Sequence, residues 1–373
     1  MEKLLDRGVA QVLPSKEGLA ALMQKRKIRL YLGIDPTGGK LHLGHSIPLR
    51  KLQQFADLGH EAILVVGTGT VLAGDPSQRE NARSGITERE IAENIKTWKR
   101  QAGKIIDFGK VKIRKNGDWL KKLKLVNILE IASRISAVQL LQRDVFQKRI
   151  ERGDTVWTHE MLYPLLQGYD SVVLNVDLEI GGTDQVFNML VGRELQKKMR
   201  NKEKYVLCCP MILGLDGKTM SKTSGNTVNI EDEPADMYGK LMSLNDNLIA
   251  QYFELCTDVS PAASTPRDLK AQLAKEIVRM YHGEKNAALA EEEFNKVFRL
   301  KGLPSEITEF RINLPKDIVF ILIETKIATS KSQAWRLINQ GGVRFEGKVI
   351  QSPTEQILNG GVIRVGRRFA KIV

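Results

Sequence analysis

The chain has 373 residues, 42% of them hydrophobic, and a formal net charge of +13. This length allows two or three domains with full cores, and the excess positive charge favours a polyanionic partner such as a nucleic acid. The three cysteines (Cys208, Cys209, Cys256) are too few and too poorly spaced for a disulfide framework or a zinc site. Without a signal-like N-terminus or an apolar run of about 18 residues, we expect a cytoplasmic protein with no membrane partner.

Strand-like and helix-like segments alternate up to about residue 230. This alternation predicts an α/β domain over 1–230 with a Rossmann-like, doubly wound parallel sheet, which binds nucleotides at the carboxyl ends of its strands. The first two strand segments are almost continuously apolar, as in strands covered on both faces. The predicted strands are Arg29–Ile34, Glu61–Gly67, Ser171–Asp177 and Tyr205–Leu213, and the predicted helix between the first two is Ile47–Leu58.

A Gly-rich turn, Asp35–His45 (DPTGGKLHLGH), joins the first predicted strand to this helix. Such a turn directs backbone N–H groups and the positive end of a helix at one point, which suits a phosphate. His42 and His45 are three residues apart and share one helix face, so both imidazoles could donate hydrogen bonds to a reacting phosphate. The alternatives are a metal pair and two surface histidines at a helix start. No third ligand lies nearby, so we predict no protein metal site.

An insertion is predicted between about 96 and 150. Its first part, 96–124, has a net charge of +9 and is interleaved with Trp98, Phe108 and Trp119. Basic residues alternating with aromatic ones are typical of contact with RNA, although a solvated face is the plainer interpretation. The second part, 125–150, predicts helices whose apolar stripe packs on the sheet domain or on a second subunit.

A loop rich in Lys, Ser, Thr and Gly occupies 217–226. By itself it could be an ordinary solvated turn. In this order, after the turn with the two histidines, it predicts the second half of a divided phosphate-handling site.

Beyond this loop we predict a helical domain over 231–300, a linker over 301–314 and a small α+β unit over 315–373. The segment 314–373 has a net charge of +6, which is typical of an RNA-binding appendage. Its predicted elements are the helices Ile318–Ile323 and Ser330–Gln340 and the hairpin-like runs Gly342–Ile350 and Gly361–Val373.

These motifs together resemble one family. The turn 35–45 and the segment 219–223 (TMSKT) resemble the two signatures of class I aminoacyl-tRNA synthetases, and we call them the first and second signatures. The segments 163–170 (YPLLQGYD) and 181–185 (GGTDQ) resemble the tyrosyl-tRNA synthetases in particular, and 328–349 resembles the S4 RNA-binding domain of the bacterial members. The resemblance covers nearly the whole chain.

The resemblance implies a reaction in two steps. ATP, with Mg²⁺, and tyrosine give tyrosyl-adenylate and pyrophosphate, and the tyrosyl group then passes to the 3′ end of tRNA(Tyr). The residues implied in catalysis are His42, His45, Lys222 and Thr37, and those implied in ATP binding are Gly44, Gly182, Asp184, Met220, Ser221 and Lys222. Lys222 would reach the leaving pyrophosphate, and Asp184 would accept hydrogen bonds from the ribose hydroxyls.

The resemblance also implies a tyrosine pocket. Asp75, Tyr163 and Gln167 would bind the ammonium group, Tyr31 with Asp170 would bind the phenol, and Gln185 would orient the carboxylate. The spacing of Tyr163, Gln167 and Asp170 places them on one helix face. The full implied set is Tyr31, Gly33, Asp35, Asp75, Tyr163, Gln167, Asp170 and Gln185.

The second signature departs from the family pattern at its first position. It begins with Thr219 where many members have lysine, and Lys218 stands one residue earlier. The alternatives are a tryptophanyl-tRNA synthetase, a synthetase-derived RNA-binding protein and a nucleotidyltransferase that acts on another acid. The resemblance further implies a homodimer formed through 125–150, with one tRNA bound across both subunits.

Overall fold

The structure is a computed structural model that describes residues 2–76, 87–220, 225–299, 307–366 and 368–373. The chain divides into two compact units, Met1–Ala287 and Ala288–Val373. In the described part of the chain, no helix combines the length and the apolar character needed to cross a membrane.

A six-stranded sheet forms the centre of the first unit. Its strands are β1 (Gln11–Leu13), β2 (Arg29–Ile34), β3 (Glu61–Val66), β4 (Val111–Lys115), β5 (Leu178–Gly182) and β6 (Tyr205–Cys209). Their order is β1-β6-β5-β2-β3-β4, and all neighbours are parallel except β1 and β6. The chain runs outward from β2 through β3 and β4 and then returns to β5 on the other side. The strand order therefore reverses between β2 and β5, where parallel sheets open a crevice at their carboxyl ends.

Helices connect these strands and follow them. The helices up to β6 are α1 (Glu2–Asp6), α2 (Lys16–Lys25), α3 (Leu43–Asp57), α4 (Thr70–Ala73), α5 (Glu88–Ala102), α6 (Gly117–Leu120), α7 (Leu125–Ala132), α8 (Ala137–Leu141), α9 (Asp144–Glu151), α10 (Thr158–Leu174) and α11 (Val186–Arg200). Those after it are α12 (Pro234–Met242), α13 (Ile249–Cys256), α14 (Pro266–His282) and α15 (Glu284–Phe294). The helical character predicted for 231–300 is thus found in its described residues.

The predicted strand Ser171–Asp177 is wrong. The helix α10 continues to Leu174 and ends at Asn175, whose φ of 50° is left-handed, and β5 begins only at Leu178. Val172 is β-branched and favours a strand locally, but its side chain is buried in a core cluster with residues of α11. Tertiary packing on α11 therefore overrides the local preference.

The fourth predicted strand is shorter than expected. It ends at Cys209 instead of Leu213, because Pro210 has no N–H to donate to a neighbouring strand. The first and second predicted strands are confirmed, the second without its terminal glycine.

The predicted insertion is also corrected. Residues Val111–Lys115 form the edge strand β4, parallel to β3, so part of 96–150 completes the sheet. Along β4, Val111 is buried while Lys112 and Arg114 are exposed, an alternation typical of a half-covered edge strand. Within the rest of the region, α7, α8 and α9 match the helices expected for 125–150.

The second unit has a core of its own. Its elements are β7 (Glu309–Phe310), β8 (Lys316–Asp317), α16 (Ile318–Glu324), α17 (Lys331–Asn339), β9 (Val343–Phe345), β10 (Lys348–Val349), β11 (Gln356–Ile357), β12 (Gly361–Val365) and β13 (Arg368–Ile372). One sheet has the order β10-β9-β12-β13-β7, and β8 pairs with β11. The helices α16 and α17 share a cluster of buried aliphatic residues with these strands. Residues 309–310 belong to the sheet through β13, although 301–314 was expected to be a linker.

Candidate active site

The two histidines of the first signature close the amino end of α3. Nδ1 of His42 accepts the amide hydrogen of Gly44 at 3.1 Å, and Nδ1 of His45 accepts that of His42 at 3.2 Å. Their ring centroids are 4.0 Å apart. Because a backbone N–H only donates, both Nδ1 atoms are acceptors, and each neutral imidazole then carries its hydrogen on Nε2. Each histidine can therefore offer an Nε2–H to an anion.

Gly44 makes this arrangement possible. A Cβ at this position would lie 2.9 Å from Cε1 of His42 and 3.5 Å from Sδ of Met220. A side chain would therefore push the first histidine out of its cap.

The helix α5 holds the backbone of the first signature. Three of its side chains donate to carbonyl groups of the turn: Nδ2 of Asn94 to Pro36 O at 2.8 Å, Oγ1 of Thr97 to Gly39 O at 3.0 Å, and Nε1 of Trp98 to Gly38 O. A fourth side chain, Gln101, bonds the turn twice. Its Nε2 donates to Gly39 O at 2.7 Å, and its Oε1 accepts from Leu41 N at 2.6 Å. Thr37, half-buried in this turn, donates its amide hydrogen to Asp35 O at 2.8 Å. The turn is thus braced from one side along its length.

The aromatic residues of 96–124 do not form an RNA-binding stripe. Trp98 is 8% exposed and bonded to the turn, and Trp119 donates to Asp170. Phe108 is half-buried beneath the ammonium of Lys99. All eleven Lys and Arg side chains of this segment are exposed, so its surface presents charge without stacking rings.

The segment 228–230, which follows the second signature, pairs with the first signature in the first unit. The amide of Leu43 donates to Val228 O at 3.0 Å, and the amide of Ile230 donates to Leu41 O at 2.9 Å. Asn226 anchors the base of the second loop through Asp216 Oδ1 at 2.8 Å and Thr219 O at 3.1 Å. Met220 reaches the first signature, as its spacing to Gly44 shows. Ser221 and Lys222, which sequence analysis placed at this site, lie outside the described residues.

At the carboxyl end of β5, Gly182 and Gln185 contact other predicted site residues. A Cβ on Gly182 would lie 2.3 Å from Oδ1 of Asp184. Nε2 of Gln185 donates to Oδ2 of Asp184 at 2.9 Å and to Oδ2 of Asp75 at 2.8 Å, and its Oε1 accepts from Asn188 at 2.9 Å. Three of the predicted site residues are therefore joined by direct hydrogen bonds.

Helix α10 aligns Tyr163, Gln167 and Asp170 on one face, as predicted. The hydroxyl of Tyr163 donates to Oδ2 of Asp35 at 3.0 Å, and Thr70 donates to Oδ1 of the same carboxylate at 2.7 Å. Burial raises the pKa of Tyr163 well above its usual value, and the charges of Asp35 and Asp75 add to this. The phenol therefore remains protonated and acts as a donor.

Asp170 is buried and held by two donors. Asn116 donates to Oδ2 at 3.1 Å and Trp119 donates to Oδ1 at 2.8 Å. Burial raises the pKa of Asp170 well above its usual value, although both hydrogen bonds oppose the shift. Its carboxyl group is thus shielded from water and fixed in place by two side chains.

Tyr31 and Gly33 lie on β2 beside this face. Tyr31 is fully buried, and its hydroxyl lies 3.0 Å from Oγ of Ser171. Gly33 is exposed, and a Cβ there would meet only Tyr31, at 3.8 Å. The strand surface is therefore open to a ligand at residue 33.

Gln167 leaves one acceptor in the pocket unsatisfied. Its Nε2 donates to Oε1 of Glu179 at 3.1 Å. Its Oε1 is buried and has no hydrogen-bond partner among the residues described. Such an acceptor is costly unless a ligand supplies a donor. Among the same residues, no group of three or more His, Cys, Asp or Glu side chains is placed to hold a metal ion.

Comparison with known proteins identifies the family. Residues 23–299 match the family described as tRNA synthetases class I (W and Y). The tyrosine--tRNA ligase of Thermotoga maritima is 42% identical over 98% of this chain and 95% of its own length. Tyrosine--tRNA ligase 2 of Vibrio vulnificus is 39% identical over 99% of this chain and 97% of its own. The chain belongs to the class I tyrosyl-tRNA synthetases.

Solved tyrosyl-tRNA synthetases share the fold. The C-terminally truncated mitochondrial enzyme of Aspergillus nidulans gives a TM-score of 0.68 at 21% identity, covering 80% of this chain and 93% of its own. The enzyme of Archaeoglobus fulgidus, solved with L-tyrosine, gives 0.62 at 21% identity, covering 78% and 98%. These likenesses confirm the Rossmann-like fold. The relatives are tyrosine enzymes, so the tryptophanyl alternative is not upheld.

In this tyrosyl-tRNA synthetase, sequence analysis missed several residues of the site. Asn116 links Asp170, Thr70 and the amide of Gly69. Its place directly after the alternating run 111–115 is typical of the carboxyl end of a strand and could have revealed it.

Arg143 is the second omission. Its guanidinium lies 5.0 Å from the ring of Phe187. Burial lowers its pKa, and the charge of Asp75 is the largest opposing influence. Nothing in the local sequence distinguishes this arginine from its surface neighbours.

The buried pair Glu179 and Lys204 was also missed.

Proposed function

We propose that this chain activates L-tyrosine with ATP and transfers the tyrosyl group to the 3′ end of tRNA(Tyr). One observation above all supports this. The α10 face with Tyr163, Gln167 and Asp170 lies beside β2 and β5, where the strand order of the sheet reverses. This arrangement occurs in a chain that is 42% identical to a tyrosine--tRNA ligase. That juxtaposition places polar groups for an amino acid beside a crevice suited to a nucleotide.

The tyrosine contacts follow from the donors and acceptors present. The ammonium group would meet Asp75, the unsatisfied Oε1 of Gln167 and the Tyr163 oxygen. The phenolic hydroxyl would meet Asp170, with Tyr31 close by, and phenylalanine would leave these buried groups unpaired. Asp35 would hold Tyr163, Gly33 would leave room on β2, and Gln185 would orient the carboxylate.

The adenylation step requires positioning and charge stabilisation. A carboxylate oxygen of tyrosine attacks the α-phosphorus of ATP, the bond to the bridging oxygen breaks, and pyrophosphate leaves. His42 and His45 would donate Nε2–H bonds to the negative charge that grows on the phosphate. Thr37 would add a donor from the same turn, and Lys222 would bind the leaving group. ATP would enter as its Mg²⁺ complex.

The remaining ATP contacts come from both signatures and from β5. Gly44 and Gly182 would allow close approach of the nucleotide, and Asp184 would accept hydrogen bonds from the ribose. Met220 and Ser221 would lie along the nucleotide from the second signature. We propose that the reaction takes place in the cytoplasm.

A homodimer is the assembly we propose. Leu125, Val126, Leu129 and Val138 of α7 and α8 each expose at least 60% of their surface. Large aliphatic side chains concentrated on two neighbouring helices are typical of a face that another subunit covers. The second unit, with its excess of basic residues, would bind the tRNA.

Tyrosine-dependent exchange of pyrophosphate into ATP tests this function. We expect exchange with tyrosine, none above background with tryptophan, and charging of tRNA(Tyr) by the same preparation. Exchange that requires tryptophan, or its absence with both amino acids, would contradict the proposal.

A further inference from the structure

A buried ion pair lies beneath the amino-acid pocket. Glu179 on β5 and Lys204, immediately before β6, are 1% and 0% exposed, and Nζ of Lys204 binds Oε2 of Glu179. Tyr31 and Glu179 are direct partners on the neighbouring parallel strands β2 and β5. Their side chains therefore leave the sheet on the same face, where they meet α10.

The pair controls two side chains of α10. Oε1 of Glu179 accepts from Nε2 of Gln167 at 3.1 Å. Nζ of Lys204 donates to Oγ of Ser171 at 2.8 Å, and this Oγ lies 3.0 Å from the hydroxyl of Tyr31. Of the two side chains bonded to the ion pair here, Gln167 is a predicted tyrosine contact and Ser171 bonds another, Tyr31.

The charges of Glu179 and Lys204 also determine the orientation of the Gln167 amide and the Ser171 hydroxyl. An ionised carboxylate only accepts hydrogen bonds and an ammonium only donates them. Glu179 can therefore bind only the NH₂ side of the Gln167 amide, which leaves Oε1 as the acceptor offered to a ligand. Lys204 occupies an acceptor site of the Ser171 hydroxyl and so restricts how that hydroxyl meets Tyr31.

Stability alone does not account for this pair. Burial lowers the pKa of Lys204, while Glu179 opposes that shift, so desolvation works against this charged pair. Replacing a buried ion pair with apolar residues of similar volume is often neutral or stabilising. Residue 192, next to the ammonium group, is a glycine. A Cβ at this position would lie 2.7 Å from Nζ of Lys204.

We propose that the Glu179–Lys204 pair is a positioning element for tyrosine recognition, which fixes the Gln167 amide with its carbonyl oxygen toward the ammonium group and holds Ser171 against Tyr31. This inference rests on the proposed function, because it assigns the pair to the tyrosine pocket. Neither residue is itself a proposed tyrosine contact: Glu179 acts through Gln167, and Lys204 acts through Ser171 on Tyr31.

The test compares Glu179→Gln and Lys204→Met with the wild-type enzyme in tyrosine-dependent pyrophosphate exchange. A glutamine at 179 can bind either side of the Gln167 amide, and a methionine at 204 cannot bond Ser171. We expect each variant to raise KM for tyrosine by about tenfold or more, with KM for ATP changed by less than about twofold. Lys204→Met should also lower the preference for tyrosine over phenylalanine.

The double variant Glu179→Leu/Lys204→Met separates orientation from folding. It leaves no unpaired buried charge, so its Tm should stay near that of the wild type, yet KM for tyrosine should remain raised. Asp177→Asn is the matched control, because Asp177 is a buried, ion-paired carboxylate just before the other end of β5. It should leave KM for tyrosine unchanged.

Two outcomes would overturn the inference. One is a KM for tyrosine within about twofold of wild type in the double variant, and the other is a rise in KM for ATP equal to that for tyrosine. Failure of the proposed function has a different signature, since the wild-type enzyme itself would then show no tyrosine-dependent exchange.

Discussion

Two aspartates near β5 show how strongly surroundings decide the behaviour of one residue type. Asp170 faces the pocket, where burial raises its pKa despite hydrogen bonds from Asn116 and Trp119. For Asp177, burial also raises the pKa, but Arg26, the amide of Arg29 and Lys202 outweigh it and bring the pKa to about 2. One carboxyl group belongs to the proposed tyrosine pocket, and the other stabilises the fold.

Asp177 gives a pH-dependent prediction. Its folded-state pKa of about 2 lies below the ordinary value of 3.8, so the ionised form stabilises the fold at pH values above the ordinary pKa. That contribution is lost as the pH falls from about 4 to about 2. We expect Asp177→Asn to lower the free energy of unfolding by about 2 kcal/mol at neutral pH, measured by urea unfolding.

The acid series provides the check on this prediction. The difference in free energy of unfolding between the wild type and Asp177→Asn should become steadily smaller below about pH 4. A difference that stays constant down to about pH 2 would show that the asparagine acts through lost packing instead.

At the scale of elements, α5 braces the catalytic turn. Gln101, 1% exposed, bonds both the carbonyl of Gly39 and the amide of Leu41. One residue before it, Arg100 binds Glu231, directly after the segment 228–230 that pairs with the first signature. The helix α5 therefore bonds the first signature and also the chain next to its pairing segment.

We expect Gln101→Leu to slow adenylate formation about tenfold, because misplacing the turn weakens contacts made to the transition state. KM for tyrosine should change by less than about twofold, since the amino-acid pocket rests on α10. Single-turnover formation of tyrosyl-adenylate measures both effects.

Lys96→Ala is the control for this variant. Lys96 lies on the exposed side of α5, so its loss should leave the rate unchanged. Equal effects of the two substitutions would mean that α5 acts only as a scaffold.

At the scale of the molecule, the two units have separate cores. The first contains all described residues of the candidate active site, and the second buries its own aliphatic cluster beneath α16 and α17. The proposed division of labour, with chemistry in the first unit and tRNA binding in the second, is consistent with two separate cores.

Removal of residues 307–373 tests that division. We expect pyrophosphate exchange to remain within about twofold of the full chain. Charging of tRNA(Tyr) should fall at least about tenfold in kcat/KM, because the basic residues that attract the phosphate backbone are lost. Unchanged charging at physiological salt would refute a role of the second unit in tRNA binding.

Much of this organisation was predictable from local patterns. The apolar runs of β2 and β3, the Gly-rich turn and the spacing of Tyr163, Gln167 and Asp170 each record a local requirement: strand burial, close backbone approach or a helix face. The placement of His42 and His45 at one helix start follows from three residues of separation.

Other features required the tertiary structure. The strand expected at Ser171–Asp177 is the end of α10, because packing on α11 outweighs the preference of β-branched residues. The basic segment that suggested an RNA surface includes a sheet edge, and its Trp98 and Trp119 serve the active site.

The sequence by itself determined the family, the order of the parts and the candidate residues for the two substrates, because these depend on short motifs. Only the tertiary structure decided the partners of those residues. Glu179 and Lys204 are 25 positions apart, and Tyr31 is 140 positions from Ser171. Pairings over such distances depend on strand order and helix packing, which no local pattern records.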